Sequence, residues 1–402
     1  MAAHRILILT NRIPYPLTDG GNMAMHAMIQ GYHNAGWEVY LLAMHTSRHT
    51  VEYRVLKGLY PWLAGFETVD VDNRIKPVPT LVNLIFSKHP NHAARFFNHS
   101  FRKKLDEVLQ SFRPGVVQME SIFLATYLPF IRQAGNIVNV MRLHNIEYQV
   151  WERLAEQVRN VPKRLYIRNL AKRIRIFEEQ AWKDFDVLLP ITGVDAAIVR
   201  ESGANTELVV APFGIDIAPH KESEDSEEWV GYHIGAMDWL PNAEAMNWFL
   251  QEVWPELHEA VPQFRFYFAG RNMPARFRNI SLPGVTCMGE VPDAHAFIAD
   301  KKILIVPLMS AGGIRVKILE AMAKGKVIIS TSIGMQGINA VPGIHYVEAN
   351  DAKTFIIATK WVLEHRDEAC KIARQGADLV AQEYRQEAIM QKVIHGIERH
   401  IR

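Results

Sequence analysis

Only two cysteines, Cys287 and Cys370, occur among 402 residues. Two thiols cannot build a disulfide framework or a cysteine-rich zinc site, so a reducing cytoplasm is the expected compartment. No run reaches the roughly 20 apolar residues that a membrane span requires. The opening apolar run, RILILT, is broken by Asn11, Arg12 and Pro14, unlike a signal peptide, and a soluble protein is expected. Charge of one sign is scarce as well: 45 basic against 43 acidic residues leave a formal net charge of +2. That excludes the whole-molecule basic field of a nucleic-acid binder. There is no Walker loop, no nucleophile elbow, no HExxH pattern and no GxGxxG after the first strand. The 17 histidines are scattered rather than clustered with cysteines, which argues against structural zinc.

What the chain does have is alternation. Its length exceeds one ordinary core and predicts two domains. RILILT (5–10) reads as a buried strand, GGNMAMHAMIQGYHNAGW as a helix stopped by Gly36, and EVYLLA (38–43) as a second strand. That order is one right-handed crossover unit of a parallel sheet. Further strands are predicted at 115–119, 137–143, 185–192 and 208–212. The polar, acidic stretch PFGIDIAPHKESEDSEE (212–228) reads as a linker. Strands then resume at 230–235, 264–270, 285–289, 303–308 and 326–331, with a helix at 243–253 and helical pattern from Asp351 onward. The expected organisation is a doubly wound α/β domain over 1–212, a hinge over 213–228 and a second such domain over 229–385. A C-terminal helix over 386–402 is expected to cross back to the first domain. In such sheets ligands bind beyond the carboxyl ends of the strands, and paired domains share the site between them.

The stretch GGIRVKILEAMAKGK (312–326) contains a conflict. Ile314, Ile318, Ala321 and Met322 recur at helical spacing, yet Arg315 and Lys317 fall in the first turn, where the helix dipole repels cations. The charges fit if a phosphate group binds there, on free backbone N–H groups and two basic side chains. Gly312 and Gly313 would then allow close backbone approach. Glu320 has two readings, an ordinary surface ion pair with Lys317 or Lys324 and an acceptor for paired sugar hydroxyls. Gly20 and Gly21 lie in the first strand-to-helix connection, as a plain tight turn or as a phosphate loop. His144 ends the run IVNVMRL, either as a packed histidine or, at a strand's carboxyl end, as a site residue. The basic run at 159–175 is a solvated helix face or a patch for anionic lipid headgroups.

These residues together resemble the retaining, nucleotide-sugar-dependent glycosyltransferases of family 4, with the two-domain GT-B fold. The likeness is strongest in GGIRVKILEAMAKGKVIISTSIGMQGI (312–338), which is similar to that family's donor-site helix, strand and loop. RILILTNRIPYPLTDGG (5–21) resembles the opening strand and glycine loop, and PFGIDI (212–217) the interdomain hinge. VTCMGEVPD (285–293) resembles a strand and turn of the family, and LHNIE (143–147) the strand ending in the active-site histidine. The resemblance implies two Rossmann-like domains facing each other across a cleft. It also implies Gly21 against the donor diphosphate, His144 beside the transferred sugar, Glu320 on the ribose, and Arg315 and Lys317 neutralising the leaving group.

Two departures stand out. The first of the family's two motif glutamates would fall at position 312, which here is glycine. The arginine and lysine common after the second domain's first strand are absent from GAMDWLPNAEA (235–245), so Arg315 and Lys317 are expected to take over that charge.

The implied chemistry is stabilisation of a departing diphosphate, with no metal or cofactor required and the nucleotide sugar as substrate. No carboxylate pair suited to a double displacement is evident. The expected enzyme is a metal-independent, hexosyltransferase-type protein of polysaccharide biosynthesis acting on a saccharide or lipid-linked saccharide, at the cytoplasmic membrane face if the basic run meets lipid. A nucleotide-sugar epimerase and a catalytically silent binding homologue are the rivals.

Overall fold

The structure is a computed structural model that describes residues 4–17, 20–46, 58–72, 90–158, 160–215, 228–310 and 314–401. The chain divides into two compact units, Met1–Gly214 with Gln386–Arg402, and Ile215–Arg385. Each is a parallel sheet wrapped by helices.

Unit 1 is built on β1 (Arg5–Thr10), β2 (Glu38–Thr46), β3 (Gly65–Val71), β4 (Val116–Met119), β5 (Val138–Leu143), β6 (Val187–Pro190) and β7 (Glu207–Leu208). They lie in the order β3-β2-β1-β4-β5-β6-β7, all parallel. RILILT is apolar on both sides because both faces are covered. Leu7 and Leu9 pack with the helices His99–Phe112 and Val161–Trp182. Ile6 and Ile8 pack against α1 (Gly20–Asn34) and the C-terminal helix Gln386–Glu398, whose Ile389, Met390, Val393 and Ile397 are buried in the same core. Gln386 fastens that helix by donating to the Ala27 carbonyl at 2.7 Å. Gly31 leaves it room, since a Cβ there would stand 2.5 Å from Met390 Cγ.

The differences from the sequence reading have local causes. β3, GFETVDV, carries no apolar run, because it is a partly exposed edge strand whose side chains need not be hydrophobic. The predicted strand 208–212 shrinks to Glu207–Leu208. Val209 and Ala211 still donate to the Leu188 and Pro190 carbonyls at 3.0 and 2.8 Å, but Pro190 has no N–H to return, so the ladder fails.

Unit 2 contains β8 (Glu228–Ile234), β9 (Phe266–Ala269), β10 (Val285–Gly289), β11 (Lys301–Val306), β12 (Val327–Ser330) and β13 (Val347–Glu348), ordered β10-β9-β8-β11-β12-β13 and parallel. Phe266, Phe268, Ile303, Ile305, Val327 and Ile329 form the core against helices that include α2 (Leu240–Trp248) and Ala352–Glu364. The predicted helix 243–253 starts earlier, at Leu240, and changes at Phe249 into one wider turn, Phe249–Val253. The helix expected to open at Gly312 is α3 (Val316–Ala323). Arg315 stands outside it as the capping residue with extended backbone, φ −87° and ψ 92°. Gly312 and Gly313 lie outside the described residues, as does most of the expected hinge. Two doubly wound Rossmann-like halves are thus present.

Candidate active site

In each unit the strand order reverses once, between β1 and β4 and between β8 and β11. At such a point the two crossovers diverge and leave a crevice beyond the strand ends. In unit 1 that crevice is a cavity of about 340 Å³, lined by Asn11 after β1, Glu120 after β4, His144 after β5, and also by Gly21, Arg142 and Glu147.

Glu120 is its organising group. It is 2% exposed and accepts hydrogen bonds from His144 Nε2 at 2.8 Å and Gln118 Nε2 at 2.5 Å, with Arg142 Nη1 at 3.8 Å. Burial pushes its carboxyl upward, but Arg142, His144 and Gln118 together outweigh this and hold it below the usual carboxylate range. It is therefore ionised at neutral pH. Gln118 is fixed in turn by the Tyr32 hydroxyl at 2.6 Å. Arg142, also buried, donates to the Ala24 carbonyl of α1 at 2.7 Å, while its Nε has no partner among the described residues. With Nε2 of His144 donating to Glu120, Nδ1 is the nitrogen left for a ligand.

Glu147 adds a second carboxyl of opposite character, pushed up to about 7 by burial. It opens the helix Glu147–Gln157, whose first N–H groups lack a side-chain cap of their own. Glu178, from the helix Val161–Trp182, supplies one by accepting from the Glu147 and Tyr148 N–H groups at 3.0 and 2.8 Å. Gly20 and Gly21 are the first residues of α1. Gly21 lines the cavity and Gly20 faces open space.

Of this cluster, the sequence reading named His144, Gly20 and Gly21 and missed Glu120, Arg142 and Glu147. Glu120 directly follows GVVQM and could have been found by the same strand-end argument that singled out His144. Arg142 carried a signal too, as a charge inside an apolar run.

In unit 2 the two cations part company. Arg315 is 5% exposed. It donates through Nε to the Gly334 carbonyl at 2.8 Å and through Nη2 to the Gln336 carbonyl, while buried Nη1 has no partner among the described residues. Burial lowers its pKa to about 10, so it stays charged. Lys317, in the first turn of α3, is partly buried and donates to His233 Nε2 at 3.1 Å and Asn242 Oδ1 at 3.0 Å. Burial, and after it the Arg315 charge, lower its pKa to about 7. Among the described residues, neither cation forms an ion pair with a carboxylate.

Glu320 is partly buried, and burial raises its pKa against the pull of His295 and Lys324. The surface ion pair weighed from its spacing is not made, since Lys324 bonds His295 Nδ1 instead, at 2.8 Å. Among the described residues there is no group of three or more His, Cys, Asp or Glu side chains able to hold a metal ion. No described helix is long and apolar enough to cross a membrane. The basic run forms much of the helix Val161–Trp182; its Arg159 lies outside the described residues.

Residues 230–365 match the family model Glycosyl transferases group 1. Over 371 residues the chain is 21% identical to an uncharacterised 44.6 kDa protein from the cps region of Klebsiella pneumoniae, covering 87% of this chain and 89% of that one. Sucrose-phosphate synthase from Thermosynechococcus elongatus superposes over 98% of both chains with a TM-score of 0.66 at 16% identity. Anabaena HepE, solved in complex with UDP, superposes over 98% of this chain and 100% of its own, with a TM-score of 0.63 at 12% identity. The fold is GT-B, and the family match within its second half supports a glycosyltransferase built on it.

Proposed function

We propose that the chain is a glycosyltransferase that moves a sugar from a nucleoside-diphosphate sugar to a hydroxyl of a saccharide or lipid-linked saccharide. The observation that carries this reading is the pair of cations, buried Arg315 and partly buried Lys317, without a carboxylate partner among the described residues. Charges taken out of water are normally paired, and a diphosphate supplies the missing anion. Breaking the sugar–phosphate bond puts negative charge on the leaving phosphate, and fixed donors aimed there lower the barrier. Among the described residues Arg315 Nη1 has no acceptor, and the Lys317 amine has one N–H to spare.

In unit 1 His144 is assigned to the transferred sugar. Glu120 holds its ring through Nε2. Gly20 and Gly21, at the start of α1, leave backbone N–H groups accessible to phosphate. Glu320 is assigned to the ribose hydroxyls and Gly312–Gly313 to the diphosphate. The chemistry assigned to these residues needs no divalent metal. The UDP complex of HepE supports a nucleotide-sugar donor, and the relative from a cps region supports polysaccharide assembly in the cytoplasm. Retention of anomeric configuration and membership of family 4 follow from the sequence resemblance.

The test is release of nucleoside diphosphate from UDP-, GDP- and ADP-sugars with a panel of saccharide acceptors, with and without EDTA. Turnover survives EDTA. Arg315→Ala lowers kcat about a hundredfold, the scale of losing one donor at a charge-developing centre, with little change in acceptor KM. Unchanged kcat at saturating donor removes Arg315 from the mechanism. Sugar conversion without acceptor turns the reading into an epimerase, and nucleotide binding without turnover into a silent homologue.

A further inference from the structure

The Lys317 amine is held more closely than a simple phosphate anchor requires. One of its acceptors, His233, lies within β8 and is 0% exposed. Its Nδ1 is 2.9 Å from the Ile305 carbonyl oxygen on neighbouring β11. A carbonyl only accepts, so Nδ1 carries the ring proton, and in the neutral ring Nε2 is an acceptor. Burial first, and then the nearby Lys317 cation, hold the ring's pKa well below its usual value, so it stays neutral. The second acceptor is Asn242 Oδ1, and the amide's orientation is fixed because Nδ2 donates to the Ala236 carbonyl at 2.9 Å. Gly235 closes over this pair: a Cβ there would lie 2.5 Å from Asn242 Nδ2 and 3.2 Å from Lys317 Nζ. Two elements, β8 and α2, therefore meet at one amine, and β11 orients the acceptor that β8 supplies.

An ammonium has three N–H groups, and two are committed. We propose that His233 and Asn242 are positioning residues that orient the Lys317 amine so that its one remaining N–H meets the donor's diphosphate, with His233 acting as a neutral acceptor. This rests on the nucleotide-sugar reading above. The third vertex of the amine is a hydrogen when the group is charged and a lone pair when it is not, while the other two vertices keep their partners in either state. The groups facing it are His233 from β8, Asn242 from α2 and, two residues before it in the chain, Arg315. Of these, the Arg315 charge disfavours the proton, and among the described residues no carboxylate restores it. An arriving phosphate does so, and binding takes up a proton.

The experiment is calorimetric titration of the full chain with UDP, ADP, GDP, CDP and dTDP, at about pH 8 in HEPES and in Tris. The difference in heat between buffers counts protons. The free diphosphate is itself deprotonated at this pH, its last pKa lying near 6. The expected result is proton uptake with the nucleotide that binds, and affinity that falls as pH rises above 7, by up to about tenfold per unit. His233→Gln, which keeps an acceptor oxygen, stays within about threefold of wild type. His233→Leu weakens binding about tenfold or more. Lys317→Arg abolishes the uptake whatever its affinity, because guanidinium does not lose its proton. No binding by any of the five nucleotides removes the nucleotide-sugar reading and this inference with it. Tight binding without proton uptake, or His233→Leu binding as wild type does, overturns this inference alone. If His233→Leu does not fold, the uptake measured on wild type and Lys317→Arg decides.

Discussion

At the scale of single residues, the two sites differ in how they keep charge away from water. Glu120 is ionised because Arg142, His144 and Gln118 surround it. Replacing it with glutamine leaves Arg142 buried and unpaired, so Glu120→Gln should lower unfolding free energy by roughly 3 kcal/mol, the cost of breaking a buried pair. Because its folded pKa is depressed, the stability Glu120 contributes is present above its unfolded pKa and lost as pH falls through the folded one. Urea melts from pH 6 to 3 should therefore show a steeper acid loss in wild type than in Glu120→Gln; parallel curves would mean the carboxyl is not held charged. Lys317 shows linkage of the same sign in an alkaline window, although here it is the charged form that burial disfavours. Its folded pKa of about 7 lies below the unfolded value, so from pH 7 to 10 the unfolded chain binds more protons and stability rises with pH. Relative to Lys317→Met, wild type should gain at most about 1.4 kcal/mol per pH unit across that window. A flat difference would show that the amine keeps its proton in the folded state.

At the scale of elements, helix Gln386–Glu398 matters most, because it covers one face of the unit 1 sheet from the far end of the chain. Ile389, Met390, Val393 and Ile397 are buried there, each contributing about 1.5–3 kcal/mol of apolar transfer. Deleting residues 386–402 should leave that sheet face wet and unit 1 unfolded or aggregated, seen as lost solubility and lost cooperative melting. A soluble, cooperatively folding truncation would show that the helix is dispensable. Pairing between elements is also where the sequence was hardest to read. His144 was legible because it ends a continuous apolar run. Glu120 and Arg142 each carried a local signal, but it is the parallel pairing of β4 with β5 that brings positions 120, 142 and 144 to one strand-end region. The Lys317–His233 contact joins residues 84 apart, and local periodicity carries no information about such a pair. Arg315 looked like a first-turn residue because Ile314 extended the helical spacing. Its side chain instead clamps the Gly334 and Gln336 carbonyls, so the helix begins one residue later.

At the scale of the whole molecule, a net charge of +2 provides no global attraction to an anionic surface, so any such attraction must be local. The helices Glu147–Gln157 and Val161–Trp182 expose Val150, Leu154, Val161, Leu165 and Ile176 beside the exposed basic residues Arg153, Lys163, Arg168 and Lys172. Apolar side chains among cations fit the interface of an anionic bilayer. Flotation with vesicles containing anionic lipid should carry the protein at low salt and less of it at high salt, whereas neutral vesicles should not. Leu165→Glu should cut the bound fraction severalfold. Equal flotation on neutral and anionic vesicles would remove the electrostatic part of this reading.

The sequence by itself determined that two parallel α/β units would form, since strand-length apolar runs alternating with helical periodicity have few other ways to bury both faces of a sheet. It also raised the expectation of anion chemistry near residues 312–326, because two cations so close to a helix start need a reason. The tertiary structure alone decided which groups meet at the reversal of each strand order: Glu120 with His144 and Arg142 in one sheet, and Lys317 with His233 and Asn242 in the other. The physical reason is that hydrophobic pattern is local and survives in the linear chain, whereas a buried charge finds its partner only after strands far apart in sequence have been laid side by side.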